Sequence, residues 1–221
     1  MVELAYTLLL IVLSYLSGST PTSVIAGKLL RNIDIRDHGS GNAGGTNVFR
    51  VLGWRPALLV VLIDIFKGWF PCIILARYFF DVQYISDFGL LQIFCGCSAV
   101  LGHTYTVFGG FKGGKGVGTL GGMMLALFPT VFPFCLGIAI ITIILTGYVS
   151  LASIIASCSL PILLILLPPF LDLSPAPLSI LVFSLLVPWF IIFTHRSNLQ
   201  RLRDGSENQF KNAMLFKKGK V

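Results

Sequence analysis

Charge is what this chain has least of. Only 11% of its 221 residues are Asp, Glu, Lys or Arg, against 55% hydrophobic residues and a mean hydropathy of +0.88. A soluble fold of this length has no interior able to hide so much apolar surface, which excludes the water-soluble globular class. Period-2 alternation is missing too. The apolar runs are long and unbroken, so a β-barrel is set aside in favour of helices, which satisfy their own backbone groups in lipid. The opening stretch, MVELAYTLLLIVLSYLSGSTPTSVIAG, lacks the basic start and small-residue cleavage site of a signal peptide. Glu3 is followed by 24 uncharged residues, and the segment reads as a retained first span. Cys72, Cys95, Cys97, Cys135 and Cys158 all lie in apolar runs and are odd in number. They read as buried reduced thiols, with no disulfide framework and no metal site.

The net charge of +7 would suit nucleic acid, but the placement of the bases points to a membrane. Fourteen of the sixteen Lys and Arg fall in three polar segments: Lys28 to Arg55, Lys112 to Lys115, and Arg196 to Lys220. The segments that would lie opposite carry Glu3, Asp81, Asp87 and Asp172, with only Arg77 as counterweight. Under the positive-inside rule the three basic segments are cytoplasmic and the N-terminus is outside; no nucleic-acid partner is implied.

Apolar runs cover about 4 to 24, 56 to 80 and 88 to 108, and then 117 to 194 with interruptions. If the basic segments share a side, an even number of spans separates each from the next. Three comfortable helices over 117 to 194 would break that parity. Four short ones restore it, broken near Pro129 to Pro133, Tyr148 to Leu151 and Asp172 to Ala176; two with a long re-entrant piece would also do so. The expected fold is an all-α polytopic membrane protein of about seven transmembrane helices. Its C-terminus is cytoplasmic, and residues 1–221 form one domain.

Three polar stretches then share the cytoplasmic face. In DHGSGNAGGTNVFR, the residues Ser40, Gly41, Asn42, Gly44, Gly45, Thr46 and Asn47 offer backbone N–H groups and short polar side chains in one turn, followed by Arg50. Clustered donors beside a guanidinium suit phosphate, whereas a plain connector has no use for His38, Arg50 and two Asn together. In GHTYTVFGGFKGGKGVGTLGG, Gly109, Gly114 and Lys115 imitate the start of a P-loop, but Gly116 stands where Ser or Thr would hold magnesium and no strand precedes it. An ATP site is not expected. Gly113, Gly114 and Gly116 with Lys112 and Lys115, ahead of a helix, still suit a phosphate. Gly114, Gly118 and Gly122 also read as a helix-packing face. In THRSNLQRLRDGSENQF, His195 and Asn198 fall on one helical face, Glu207 follows, and Arg196, Arg201 and Arg203 suit lipid headgroups. Asp64 and Lys67, inside the second apolar run, read either as a structural ion pair or as support for the polar site.

In this order, GSGNAGGTNVFRVLG, DIFKG, GHTYTVFGGFKGGKGVGT and HRSNLQRLRDGSE resemble the bacterial acyl-phosphate:glycerol-3-phosphate acyltransferase family. The resemblance spans nearly the whole chain and departs from the family pattern only among small residues, at Ala43 to Gly45 and Gly118. It implies an inner-membrane, multi-pass enzyme of phospholipid synthesis with its active site on the cytoplasmic face. That enzyme takes an acyl group from acyl phosphate to the 1-hydroxyl of sn-glycerol 3-phosphate, giving lysophosphatidic acid and phosphate. Ser40, Arg50, Lys112, Lys115, His195 and Asn198 are the catalytic candidates. Gly41, Asn42, Thr46, Asn47, His103, Gly113, Gly114 and Gly116 are candidates for holding substrate or phosphate, with Asp64, Lys67 and Glu207 in support. No metal or other cofactor is expected, since an acyl phosphate already carries a good leaving group. Membrane lipids are the remaining partner.

None of His38, His103 and His195 has Asp five positions later, so the His-x4-Asp dyad of acyl-CoA-dependent glycerophosphate acyltransferases is missing. An acyl-enzyme on Ser40, with His38 as base, is an alternative to direct transfer. A transporter of phosphate or an organic phosphate is the rival function, and would need polar residues on the outer halves of several spans.

Overall fold

The computed structural model describes residues 1–80, 87–210 and 214; Asp81, counted above among the outer charges, and the basic residues from Lys211 onward lie outside them. The described residues are helical and fall into two compact units, Met1–Phe128 and Pro129–Val221.

The first unit holds α1 (Val2–Gly18), α2 (Thr22–Arg31), α3 (Gly45–Leu52), α4 (Trp54–Phe70), α5 (Ala76–Phe79), α6 (Phe88–Thr104) and α7 (Val117–Leu127). The expected first span over 4 to 24 is present within the apolar stretch Val2–Arg31, with a short interruption of its helix. α1 stops at Gly18, and Pro21, which cannot donate a backbone hydrogen bond, stands before α2. The same physics shapes α4. Pro71 has no N–H for the carbonyl one turn back, so one wide turn over Pro71–Leu75 joins α4 to α5.

Two helix pairs hold this unit, and each is closed by glycines on both partners. In α4 and α7, a Cβ on Gly68 would strike the carbonyl oxygen of Thr119, and one on Gly122 would strike that of Ile65. In α1 and α6, Gly18 faces the Ala99 carbonyl and Gly102 the Tyr15 carbonyl in the same way. Lipid supplies no hydrophobic drive between helices, so close backbone approach and the van der Waals contact it brings hold such pairs. The packing expected of Gly118 and Gly122 is therefore present. Gly114 is not part of it, because it precedes α7 and packs on His103. Apolar clusters fill the remainder, Leu10, Ala76, Leu91 and Cys95 in one, Ile35, Val48, Ala57 and Val60 in another.

The second unit holds α8 (Phe132–Thr146), α9 (Val149–Phe170), α10 (Leu178–Thr194) and α11 (Arg196–Arg203). With α7, these give four helices over 117–194, and the gaps fall at 128–131, 147–148 and 171–177. α10 and α11 meet at 63°. Among the described residues four helical stretches are long and apolar enough to cross a membrane, Val2–Arg31, Trp54–Phe79, Phe88–Gly109 and Val149–Phe170, or five if α10 and α11 count as one. α7 and α8 are apolar but shorter. The cysteines are free; Cys72 and Cys95 are buried, Cys97 and Cys135 partly so, and Cys158 departs from expectation by lying exposed on α9.

Candidate active site

The first polar loop is built around one amide. Asn47, in the first turn of α3 and 1% exposed, accepts the Ser40 N–H on Oδ1 at 2.8 Å and donates from Nδ2 to the carbonyls of Ile35 (3.0 Å) and His38 (2.9 Å). Its hydrogen-bonding groups are taken up by the loop, so it shapes the turn that carries Ser40, Gly41 and Asn42. Gly39, at φ +63°, sits where a Cβ would run into that amide oxygen. Gly44 caps the start of α3, with Thr46 half-buried in its first turn and Arg50 exposed in its last.

The second loop folds back on the end of α6. Gly113 donates to the Thr104 carbonyl (3.0 Å) and Gly114 to that of His103 (3.1 Å). These two N–H groups, expected among the phosphate donors, are thus turned onto the chain itself. What the two glycines offer is bare surface. A Cβ on Gly114 would press on the His103 ring and lie 2.7 Å from the Ala43 carbonyl oxygen. Gly116, at φ +81°, caps α7, Lys115 is half-buried beside it, and Lys112 is exposed.

A residue that sequence reasoning passed over ties the two loops together. Arg36 donates from Nη1 to the carbonyls of Gly109 (2.6 Å) and Lys112 (3.1 Å), while its Nε and Nη2 grip the carboxylate of Asp34. The hydrogen bonds from Arg36 hold the Asp34 carboxyl down at about 2. A cation two residues after an acid, followed by a glycine-rich run, was the available signal.

Beneath the loops lies a charged cluster. Asp64 and Lys67 are 3% and 4% exposed and pair at 2.9 Å. Asp64 also accepts from the Thr22 hydroxyl (2.6 Å), Lys67 donates to the Thr20 carbonyl (2.9 Å), and His103 Nδ1 stands 3.7 Å from Asp64. Among the described residues His103 Nδ1 and the Thr119 hydroxyl are the buried side-chain groups with no hydrogen-bond partner. A small recess opens beside the cluster, with Thr22, Lys67, His103, Lys112, Gly113 and Gly114 in its wall. Lys67 stands in that wall, and Asp64 behind it is its ion-pair partner. Thr20 and Thr22 were missed. The SGSTPTS run, a break signal inside an apolar stretch, could have found them.

In the second unit, His195 sits at the bend between α10 and α11, 3% exposed. Its Nδ1 lies 2.9 Å from the Ile191 carbonyl oxygen, which can only accept, so Nδ1 carries a proton. Glu207 is a buried hub. It accepts from Ser150 (2.9 Å), Asn198 (2.6 Å) and Arg201 (2.7 Å). Arg201, expected on lipid headgroups, is committed to this ion pair, and the Arg196 guanidinium lies 4.9 Å over the Phe193 ring. Ser150 belongs to the first turn of α9, where the helix dipole also favours the carboxylate.

Burial pushes the Glu207 carboxyl up, but the hydrogen bonds from Asn198, Arg201 and Ser150 outweigh it, and the net shift is downward. A depressed carboxyl contributes stability above its unfolded pKa and loses it as pH falls through the folded value. Glu207→Gln is therefore expected to melt lower than the wild type at pH 7. The difference should close below roughly pH 4. Melting curves at both pH values check this, and a gap that stays constant would contradict it.

Comparison with known proteins places the chain. A family model described as glycerol-3-phosphate acyltransferase matches residues 8–205. The glycerol-3-phosphate acyltransferase of Chlorobium phaeobacteroides (strain BS1) is 42% identical over 229 residues, covering 93% of this chain and 97% of its own. That of Chlorobaculum parvum (strain DSM 263 / NCIMB 8327) is 42% identical over 222 residues, covering 91% and 95%. Among solved structures, PlsY, an integral membrane glycerol 3-phosphate acyltransferase, superposes in its glycerol 3-phosphate form with a TM-score of 0.80 at 37% identity. That match covers 92% of this chain and 95% of the other. Its lysophosphatidic acid form gives 0.78 at 36%.

Proposed function

This chain belongs to the glycerol-3-phosphate acyltransferase family, and from that premise we propose that it carries an acyl group from acyl phosphate to the 1-hydroxyl of sn-glycerol 3-phosphate. The products are lysophosphatidic acid and inorganic phosphate. The protein is an integral, multi-pass membrane acyltransferase. The whole chain acts as one catalytic domain, with seven helices crossing the bacterial inner membrane, the N-terminus outside and the three motif loops on the cytoplasmic face. The basic residues gathered in those loops support this orientation. In a cysteine-free background, a membrane-impermeant maleimide added outside should label Asp172→Cys and spare Ser206→Cys; the reverse would overturn the topology.

The observation that carries the catalytic reading is the joining of the two glycine-bearing loops by Arg36 into one surface beside the recess walled by Lys67, His103 and Lys112. Both substrates end in phosphate, and that surface carries cations and short polar groups suited to such anions. In the step itself the 1-hydroxyl oxygen attacks the acyl carbon, the bond from that carbon to the phosphate oxygen breaks, and the hydroxyl proton ends on the released phosphate. Arg50, Lys112 and Lys115 stabilise the growing negative charge, the kind of contribution that dominates acyl transfer. Ser40, held by Asn47 through its own N–H, aligns substrate with Gly41, Asn42 and Thr46. Asn198 orients the glycerol 3-phosphate, and His195 Nε2 accepts from its hydroxyl or donates to its phosphate. His103, Gly113, Gly114 and Gly116 form the floor under the phosphate, Asp64 and Lys67 hold the helices that carry it, and Glu207 holds Asn198. No step requires a nucleophile from the protein.

The test is donor competence. Purified protein with glycerol 3-phosphate should make lysophosphatidic acid from palmitoyl phosphate and none from palmitoyl-CoA. Product from the thioester alone would refute the donor assignment.

A further inference from the structure

The loop between α6 and α7 is inside out by the standards of a water-exposed turn. Many of its backbone polar groups are used internally or on the scaffold. Gly109 and Phe111 both donate to the Thr106 carbonyl, and Tyr15 donates to the Tyr105 carbonyl at 2.6 Å. Thr106 donates its hydroxyl to Ser19, and Arg36 covers the carbonyls of Gly109 and Lys112. Its apolar side chains face away from this network. Phe108 and Phe111 are 63% and 61% exposed, with Val107 and Tyr105 also exposed. Phe111 holds a left-handed backbone, φ +59°, where glycine would be at ease and an aromatic residue is rare, so its ring is retained against local preference. Water would penalise both features. A lipid interface rewards both, since a backbone entering it must be satisfied within the protein and aromatic rings partition there.

We infer that this loop is a membrane-inserted wedge, with Phe108 and Phe111 in the boundary between headgroups and acyl chains of the bilayer, and that it brings Lys112 to the plane where a membrane-borne acyl phosphate presents its phosphate. The apolar face continues onto the lipid-facing sides of its flanking helices, where Leu101 and Val117 are exposed. Lys112 and Lys115, directly after the rings, complement anionic headgroups. The occupant is the bilayer itself. Arg36 keeps the wedge at a fixed distance from the first loop, so insertion depth and the anion surface are set together. The second half of this inference rests on the acyl phosphate reading above; the first half does not.

The experiment places a nitroxide on single cysteines at Phe108→Cys and Phe111→Cys, with Ser206→Cys as the aqueous control, in full-length cysteine-free protein reconstituted into phosphatidylglycerol-containing vesicles. Collision with oxygen should exceed collision with a water-soluble nickel chelate at both loop positions, and the order should reverse at 206. Equal chelate access at 108, 111 and 206 would overturn insertion whether or not the protein is active. In parallel, the Phe108→Ser/Phe111→Ser double variant should raise KM for palmitoyl phosphate about tenfold and leave that for water-soluble butyryl phosphate unchanged. Equal effects on both donors would overturn the delivery role and leave the insertion result to stand alone. If the double variant does not fold, Phe111→Ser alone carries the same comparison.

Discussion

Asp64→Ala is expected to keep folded protein from accumulating in the membrane. Lys67 is 4% exposed and would be left with a buried ammonium whose remaining partner is the Thr20 carbonyl. Removing one member of a buried pair costs about 3–5 kcal/mol, a large part of a net stability of roughly 5–15 kcal/mol. The change also frees the Thr22 hydroxyl, so the start of α2 loses its tie to α4. Asp64→Asn keeps an acceptor for Thr22 and should fall between. The double variant Asp64→Leu/Lys67→Met, which removes both charges, should recover part of the loss. Heating detergent extracts and measuring the monodisperse fraction left would rank the variants. A single alanine variant melting with the wild type would show that the ion pair does not hold these helices.

Arg50→Ala is expected to do the opposite, leaving the fold and removing the activity. Arg50 is exposed in the last turn of α3, so the melting temperature should hardly move. Loss of a cation that stabilises developing phosphate charge should lower kcat by about 10²–10³-fold. Arg50→Lys should restore little, because an ammonium cannot grip phosphate with two parallel hydrogen bonds. Asn198→Ala makes the informative contrast. Its amide donates to Glu207 at 2.6 Å and is 6% exposed, so that variant should lose stability and activity together. Full product formation by a folded Arg50→Ala protein would remove α3 from the reaction.

Much of this was legible in the sequence where a signal is local. Pro129 to Pro133, Tyr148 and the Asp172 region mark the interruptions over 117–194, and the helices there break close to those places. The break at Ser19–Pro21 escaped because the run stays uncharged across it, and hydropathy does not distinguish a continuous span from one cut by a short polar turn. Residue type pointed to Asn47 as a donor for substrate. The folded loop spends that amide on its own backbone, because a tight turn has more orphan groups than glycine can serve. Gly113 and Gly114 repeat the lesson, since a glycine-rich run shows where N–H groups are and not where they point. Arg36 carried a local hint in its spacing from Asp34, but its partners did not. Gly109 and Lys112 lie more than seventy residues away, and a local pattern does not name partners at that distance.

The measurement that bears most directly on the central claim is phosphate release from palmitoyl phosphate by the purified protein, with and without glycerol 3-phosphate, beside a count of lysophosphatidic acid formed. Direct transfer between two anion-holding loops predicts release that depends on glycerol 3-phosphate, with one phosphate per lysophosphatidic acid. Phosphate released equally without the acceptor, or none from verified folded protein, would contradict it.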